Sequence, residues 1–152
     1  MNVDIIQILL TFITTIILFL TLYYTLKLSK RNKAVDVMLR CQERYDQIIW
    51  KYKETILKSN IPEIHFYDRF WELQIEQFQY WQRGYITNEI FEHWMFQRKR
   101  EWVENNKVKD LSYQDGWKKI YGFRVDNKYT QFMERIFQGE IVEVMKKYKH
   151  IK

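Results

Sequence analysis

The residues that could carry out catalysis are few and widely spaced. Histidine occurs only as His65, His93 and His150. Glu89 and His93 lie four residues apart, which places them on one helix face, where we expect a surface hydrogen-bonded pair. A di-iron bundle needs a histidine three residues after a glutamate on two helices, and no glutamate here is followed by one. The sequence therefore predicts no metal site and no cofactor.

Nucleophilic chemistry has no recognisable motif either. The chain contains no Gly-rich phosphate loop, no Gly-x-Ser-x-Gly turn and no Cys–His spacing of a known kind. Its single cysteine, Cys41, rules out an intrachain disulfide and fits a reducing compartment. Because Cys41 falls among apolar residues at helical spacing, we expect a small buried side chain. The sequence predicts no enzyme and no small-molecule substrate.

Nucleic-acid binding is the next chemistry to weigh, because cations and aromatic residues alternate between Tyr80 and Lys107. A stacking platform in a basic groove has this composition. The tryptophans, however, mostly recur at the spacing of residues that pack into a helical core. Membrane proteins are also often basic because Lys and Arg set their orientation in the membrane. The sequence favours core packing over a nucleic-acid partner. The residues that carry the alternative are Arg83, Arg98, Lys99, Arg100 and Trp102.

The element that must position everything else is the stretch Ile5 to Leu26. It contains no charge, glycine or proline over 22 residues. At about 1.5 Å per residue, a helix of this length spans roughly the hydrocarbon core of a bilayer. The sequence predicts one transmembrane helix, with the lipid bilayer as its first partner.

The flanking charges predict how this helix is oriented. Asp4 precedes it, and the cations Lys27, Lys30, Arg31 and Lys33 follow it. A secretory leader has its cations first and a small-residue cleavage site last, so we expect an uncleaved anchor. A cation cluster marks the cytoplasmic side. We therefore expect a short outer N-terminus and a cytoplasmic C-terminal domain at the inner membrane, with these four cations contacting anionic lipid at about 1 kcal/mol each.

Polar residues form a stripe in the anchor. Gln7, Thr11, Thr14 and Thr15 follow one another at steps of four, three and one. Such side chains hydrogen-bond between membrane helices, which would let the anchor pair with itself or with another membrane protein. A threonine hydroxyl can also bond its own helix backbone. The pattern leaves both interpretations open.

The remaining sequence has helical periodicity throughout. A seam of apolar and tyrosine residues in the first segment predicts packing on the domain's own helices, with a coiled-coil dimer as the alternative. No segment alternates with period two. The fold class is therefore all-α: one N-terminal transmembrane helix (residues 1–33), then a small cytosolic helical bundle (34–152). The predicted bundle helices are Ala34–Lys58, Phe66–Arg83, Asn88–Val103, Tyr113–Tyr121 and Asn127–Tyr148.

Local residues predict where these helices begin and end. Pro62 interrupts the first, and Gly84 suits a left-handed cap. Thr87 and Ser112 are expected N-caps, the latter with Asp115 three residues later. Asp126 is predicted to cap the last helix, in which Gly139 weakens the middle.

Two segments resemble a known family. The run FWELQIEQFQYWQRGYITNEIFEHW, Phe70 to Trp94, places aromatic and acidic residues before a Gly-x-Ile turn and an acidic-x-aromatic-x-x-Trp step. It resembles the core of the family of short bacterial single-pass membrane proteins known as domain of unknown function 4760. The segment WKKIYGFRVDNKYTQFMERIF, Trp117 to Phe137, is similar to that family's closing segment. The resemblance implies an anchor plus a helical body; it brings no established activity, and no functional residues carry over from it.

Function is predicted from this layout. The leading hypothesis is a non-enzymatic, membrane-anchored interaction protein of a bacterial inner membrane, which oligomerises or docks through its anchor. A sharper version is a toxin-like or phage-defence effector whose anchors cluster and permeabilise the membrane. The alternative is a small accessory subunit of a larger membrane protein complex.

Overall fold

The computed structural model describes residues 3–122 and 127–149, and over these residues the fold is mostly helical, as predicted. The first helical stretch comprises α1 (Val3–Asp46), a π-helix (Gln47–Tyr52) and α2 (Lys53–Lys58). The remaining elements are α3 (Ile64–Gln82), α4 (Asn88–Glu104), β1 (Lys107–Val108), β2 (Leu111–Ser112), α5 (Tyr113–Tyr121), α6 (Lys128–Gln138) and α7 (Ile141–Lys149).

The chain divides into two compact units, Met1–Asp36 and Val37–Lys152. The predicted division lay between residues 33 and 34. Within the first unit, the described side chains are exposed almost throughout. All buried hydrophobic side chains among the described residues lie in the second unit.

The seam predicted in residues 34–58 packs on the helices of the second unit. Cys41 and Ile48 are buried against the core, and Tyr45 and Tyr52 are half-buried. The π-helix had not been predicted. Its wider turns hold more residues than an α-helical turn. Ile48 within it and Ile56 on α2, eight residues later, are both buried against the core.

Aromatic side chains fill the core around α3. Trp71 is fully buried, with its ring centroid 4.6 Å from that of Trp117 and 4.9 Å from that of Tyr113, both on α5. Trp81 stacks on Phe91 of α4 at 4.6 Å. Helix α3 therefore has partners on more than one side, as its apolar pattern predicted.

The predicted turns of the α3–α4 hairpin are confirmed. Gly84 takes a left-handed conformation (φ +74°), and its amide donates to the Trp81 carbonyl. Thr87 caps α4 by accepting from the Ile90 amide at 3.4 Å. Ser112 caps α5 in the same way, by accepting from the Asp115 amide at 3.1 Å.

In the C-terminal half, one element had not been predicted and one predicted helix was wrong. The connector after α4 contains a small antiparallel hairpin, with Val108 opposite Leu111. Its strands are two residues each, too short to give a period-two pattern. The last predicted helix, Asn127–Tyr148, is divided into α6 and α7, because Gly139 between them is extended (φ −116°, ψ −173°). Asn127 is the N-cap of α6, whereas the predicted cap, Asp126, lies outside the described residues.

Cys41 gives a prediction about reactivity. Burial raises the pKa of its thiol from 9.0 to about 11, with Glu76 as a smaller cause in the same direction. Because the thiolate is the reactive species, we expect its alkylation at pH 8 to be about a hundredfold slower in the folded chain than in denaturant. Mass spectrometry of iodoacetamide adducts measures the alkylation rate, and equal rates in the folded and denatured chain would show that Cys41 is not buried.

The same shift makes stability depend on pH. Since the pKa of Cys41 is raised in the folded state, the stability contributed by the protonated thiol is complete below pH 9 and is lost as pH rises through 11.

Candidate functional site

The first candidate site is the apolar part of α1. Among the described residues, the stretch Ile5–Lys58 contains the one segment long and apolar enough to cross a membrane. None of its most apolar 18-residue window is buried inside the protein. Large side chains such as Leu18 (65 % exposed) and Phe19 (73 % exposed) have no protein cover. A soluble protein rarely leaves so large a contiguous apolar surface uncovered, and this exposure fits an anchor in lipid.

The polar residues of the anchor lie on one side of the helix. At about 100° per residue, Gln7, Thr11, Thr14 and Thr15 fall within one arc. Thr21 and Thr25 fall in the same arc, which spans about 120° in all. The sequence analysis missed this continuation, although the four-residue spacing of Thr21 and Thr25 indicates it. We call these six residues the polar stripe.

The hydroxyls of the stripe bond within their own helix. Thr11 donates to the Gln7 carbonyl at 2.8 Å, Thr14 donates to the Leu10 carbonyl at 2.6 Å, and Thr15 donates to the Thr11 carbonyl at 2.8 Å. Thr21 and Thr25 donate to the carbonyls of Ile17 and Thr21, both at 2.8 Å. Of the two interpretations left open by the sequence, the structure therefore shows the second, in which each threonine hydroxyl bonds to the backbone of its own helix. The hydroxyl oxygens keep only acceptor capacity toward a neighbouring helix.

Gln7 differs from these threonines. Its side-chain amide offers two donors and one acceptor, and it makes no hydrogen bond to the other described residues. Gln7, Thr11 and Thr15 line a shallow groove on the helix surface together with Ile8 and Phe12. If another helix lay in this groove, the Gln7 amide would be the strongest polar contact available to it.

The predicted lipid-contacting cations follow the apolar segment. Lys27, Lys30, Arg31 and Lys33 are all exposed on α1. Lys27 and Arg31 are one turn apart, as are Lys30 and Lys33. Their positions place four cations within two helical turns at the end of the apolar run.

The second candidate site lies in the second compact unit (Val37–Lys152), which we call the helical unit. It is a polar cluster centred on Arg98 of α4. The Arg98 side chain is 2 % exposed. Its Nε donates to Gln74 Oε1 at 3.0 Å, and its Nη1 donates to Glu101 Oε2 at 2.5 Å. The guanidinium lies between the rings of Tyr45 and Phe70, 4.7 and 4.8 Å from their centroids.

Electrostatics keep this cluster charged. Burial alone would lower the pKa of Arg98, but its charge interactions, among them that with the Glu101 carboxylate, outweigh burial and raise the pKa. Burial also raises the pKa of Tyr113 well above its usual value, so this phenol stays neutral. Arg98 and Glu101 therefore form an ion pair at the edge of the core, and Glu101 also accepts from the Tyr45 hydroxyl at 3.5 Å.

The sequence analysis did not identify this cluster. The indication was present: Phe70, Gln74, Gln77 and Trp81 follow steps of four, three and four, so two glutamines occupy core positions of α3. On α4, Arg98 continues the series of Phe91, Trp94 and Met95. A polar residue at a core position points to a buried polar contact.

His93 and three of the basic-aromatic residues, Arg98, Lys99 and Trp102, make contacts within the helical unit. His93 does not pair with Glu89 as predicted; its Nε2 lies 3.0 Å from Gln97 Nε2, while a backbone hydrogen bond and Thr87 lower the pKa of Glu89. Trp102 stacks on Phe137 at 3.8 Å, and Lys99 donates to the Gly139 carbonyl at 2.6 Å. With Arg98 buried as well, these side chains of the nucleic-acid alternative are engaged within the helical unit.

No protein-family model, no curated protein and no solved structure matches this chain. The described residues contain no group of three or more His, Cys, Asp and Glu side chains that could hold a metal ion.

Proposed function

We propose that this chain is a non-enzymatic, single-pass membrane protein that acts by association. Its α1 spans a bacterial inner membrane with the N-terminus outside and the helical unit in the cytoplasm. The observation that carries the proposal is the apolar segment of α1, which has no protein cover at any position of its most apolar window. Hydrocarbon supplies that cover at a thickness that matches the segment.

Orientation and lipid contact are supported by charge. Lys27, Lys30, Arg31 and Lys33 remain on the cytoplasmic side, where anionic headgroups attract each by about 1 kcal/mol. Protease added to intact spheroplasts tests this orientation. We expect the helical unit to be protected until the membrane is lysed, and digestion without lysis would contradict the proposal.

Association is supported by the polar stripe, with Gln7 as its main contact. We expect Gln7→Leu to weaken self-association or partner association about tenfold, since one amide hydrogen bond between membrane helices is worth roughly 0.6–2 kcal/mol. Thr11→Val and Thr15→Val should have smaller effects, because both hydroxyl protons are already bonded to α1. Chemical cross-linking in membranes, quantified by gel, measures the change.

A matched control lies on the opposite side of α1. Ile16 and Leu20 are about 180° and 140° away from Gln7 around the helix, so Ile16→Leu with Leu20→Ile changes shape without touching the stripe. We expect the cross-linking yield of this control to equal that of the parent. Equal yields from the parent and Gln7→Leu would exclude association through the stripe.

The effector version of the proposal predicts two further effects, growth arrest and dye release. If clustered anchors permeabilise the membrane, induction arrests growth and the purified chain releases dye from vesicles, and both effects fall in Gln7→Leu. If the chain forms oligomers but releases no dye, it is an interaction protein without effector activity.

An accessory subunit is the second candidate, and one feature of the helical unit favours it. Trp50 on the π-helix is 71 % exposed, and Leu57 on the following turns is also exposed. Tryptophan is enriched among residues that dominate protein interfaces. The native mass of the complex extracted from its own membrane distinguishes the two: a multiple of 19.1 kDa indicates self-association, and additional chains indicate a larger complex.

A further inference from the structure

A seven-residue repeat runs along α1 from the apolar segment into the basic segment that follows it. Its positions recur at alternating steps of four and three: Gln7, Thr11, Thr14, Leu18, Thr21, Thr25, Leu28, Asn32 and Val35. This is the spacing of the residues that meet in a two-stranded coiled coil. All of them are exposed and lie in the first compact unit, and none belongs to the core of the helical unit. We call them the heptad row.

The heptad row changes its residue types where the apolar segment ends. Within Ile5–Leu26 it holds Gln7 and every threonine except Thr15. Polar side chains of this kind hold helices together in hydrocarbon, where an apolar side chain gains nothing by leaving lipid for another helix. Beyond the segment the row continues with Leu28 and Val35, which are 58 % and 46 % exposed. In water, apolar residues at these positions drive helices together, so each part of the row suits association in its own solvent.

The charges beside the row identify the partner. Arg31 and Asp36 flank the row on its two sides, and both are exposed. Since they are five residues apart, they lie about 140° from each other around α1 and do not face each other within one helix. In a parallel pair of identical helices in register, Arg31 of each copy faces Asp36 of the other. The row is therefore flanked by charges that complement a second copy of itself.

Asn32 fixes how two copies align. It is the single asparagine of the row and stands between Leu28 and Val35. An asparagine at this kind of position specifies register and the number of strands, because its amide pairs with the same amide of the partner helix and a shifted register would leave that amide against apolar side chains.

We propose that α1 pairs with α1 of a second copy of this chain, as a parallel two-stranded coil along the heptad row. This pairing rests on the proposed function, because two anchors that enter the membrane in the same direction are parallel. It commits the association to a homodimer and extends the contact surface beyond the polar stripe through Leu28, Asn32 and Val35. Each residue of the row meets the same residue of the other copy.

Disulfide cross-linking of the full chain in its own membrane tests the alignment. Leu28→Cys places a thiol in the row, where two copies bring their Cα atoms within the span of a disulfide. The matched control is Leu26→Cys, which alters the same residue type two positions earlier and about 160° away around α1. We expect oxidation with copper phenanthroline to convert Leu28→Cys to a product of twice 19.1 kDa. Leu26→Cys should give no more product than the parent, whose Cys41 is buried.

Charge exchange tests the identity and direction of the partner. In the Leu28→Cys background, Arg31→Glu sets like charges opposite each other at two places in the dimer, so we expect the cross-linking rate to fall about tenfold. Adding Asp36→Arg makes the two sites attractive again and should restore the rate. Such a rescue requires that each copy supplies both charges, which only a parallel pair of identical chains provides.

Three outcomes would overturn the proposal. These are equal cross-linking of Leu28→Cys and Leu26→Cys, a product that contains a different chain, and no recovery of the rate on adding Asp36→Arg. The proposed function has its own readouts, the protease protection of the helical unit and the effect of Gln7→Leu on chemical cross-linking. If those hold while Leu28→Cys fails to cross-link, the chain associates in the membrane but not along the heptad row.

Discussion

Ile16→Arg combined with Leu20→Arg is expected to move this protein from the membrane pellet to the soluble or aggregated fraction. Both side chains lie near the middle of the apolar segment, on the side of α1 opposite the polar stripe, and both are exposed. An arginine at the centre of a membrane helix costs about 2.5–3.5 kcal/mol on insertion scales, so the pair costs roughly 5–7 kcal/mol. Carbonate extraction followed by centrifugation measures the distribution.

The control for this experiment adds the same charge outside the apolar segment. Leu28→Arg with Asn32→Arg falls among Lys27, Lys30 and Arg31, where cations favour retention on the cytoplasmic side. We expect this variant to remain in the pellet. If the Ile16→Arg and Leu20→Arg variant also stays there after extraction, α1 does not cross the bilayer and the proposed function fails at its first step.

Glu101→Leu is expected to destabilise the helical unit by about 3 kcal/mol. The substitution removes the carboxylate that accepts from Arg98, and Arg98 is left charged at a site where only 2 % of its side chain is exposed. Removing one partner of a buried pair typically costs about 3–5 kcal/mol. The lower end applies because 22 % of the Glu101 side chain reaches solvent. Urea unfolding followed by tryptophan fluorescence measures the loss, since all six tryptophans lie in the helical unit.

A second substitution distinguishes an unpaired charge from lost packing. Arg98→Met in the Glu101→Leu background removes the stranded charge, and apolar replacement of a whole buried pair is often neutral or stabilising. We expect most of the lost stability to return. The comparison pair is Glu54 and Lys58, whose side chains are 61 % and 73 % exposed; Glu54→Gln should leave the unfolding midpoint unchanged. If Glu101→Leu behaves like Glu54→Gln, the Arg98 cluster is not buried in solution.

The elements that the sequence predicted correctly depend on short-range physics. Gly84 reverses the chain because a left-handed residue without a Cβ is needed there, and Thr87 and Ser112 begin helices through bonds to amides three residues later. The apolar segment of α1 is recognisable because its length alone matches hydrocarbon. These features involve residues that are close in sequence.

The features that the sequence did not reveal depend on distant partners. The hydrogen bond from Arg98 to Gln74 joins residues 24 apart, and that from Tyr45 to Glu101 joins residues 56 apart. Gly139 breaks the last predicted helix, and its carbonyl accepts from Lys99 on α4, a contact that no local pattern records. Likewise, the π-helix contacts α3, and Ile48 within it is buried against core residues that lie far away in the sequence.

By itself, the sequence determined the helical class, the helix starts and stops near Gly84, Thr87 and Ser112, and an apolar segment long enough to span a bilayer. Only the tertiary structure decided that the buried Arg98 guanidinium donates to Gln74 and Glu101 and lies close to the rings of Tyr45 and Phe70. The physical reason is that local backbone preferences are properties of neighbouring residues, whereas the cost of burying a polar group is set by whatever the fold brings beside it.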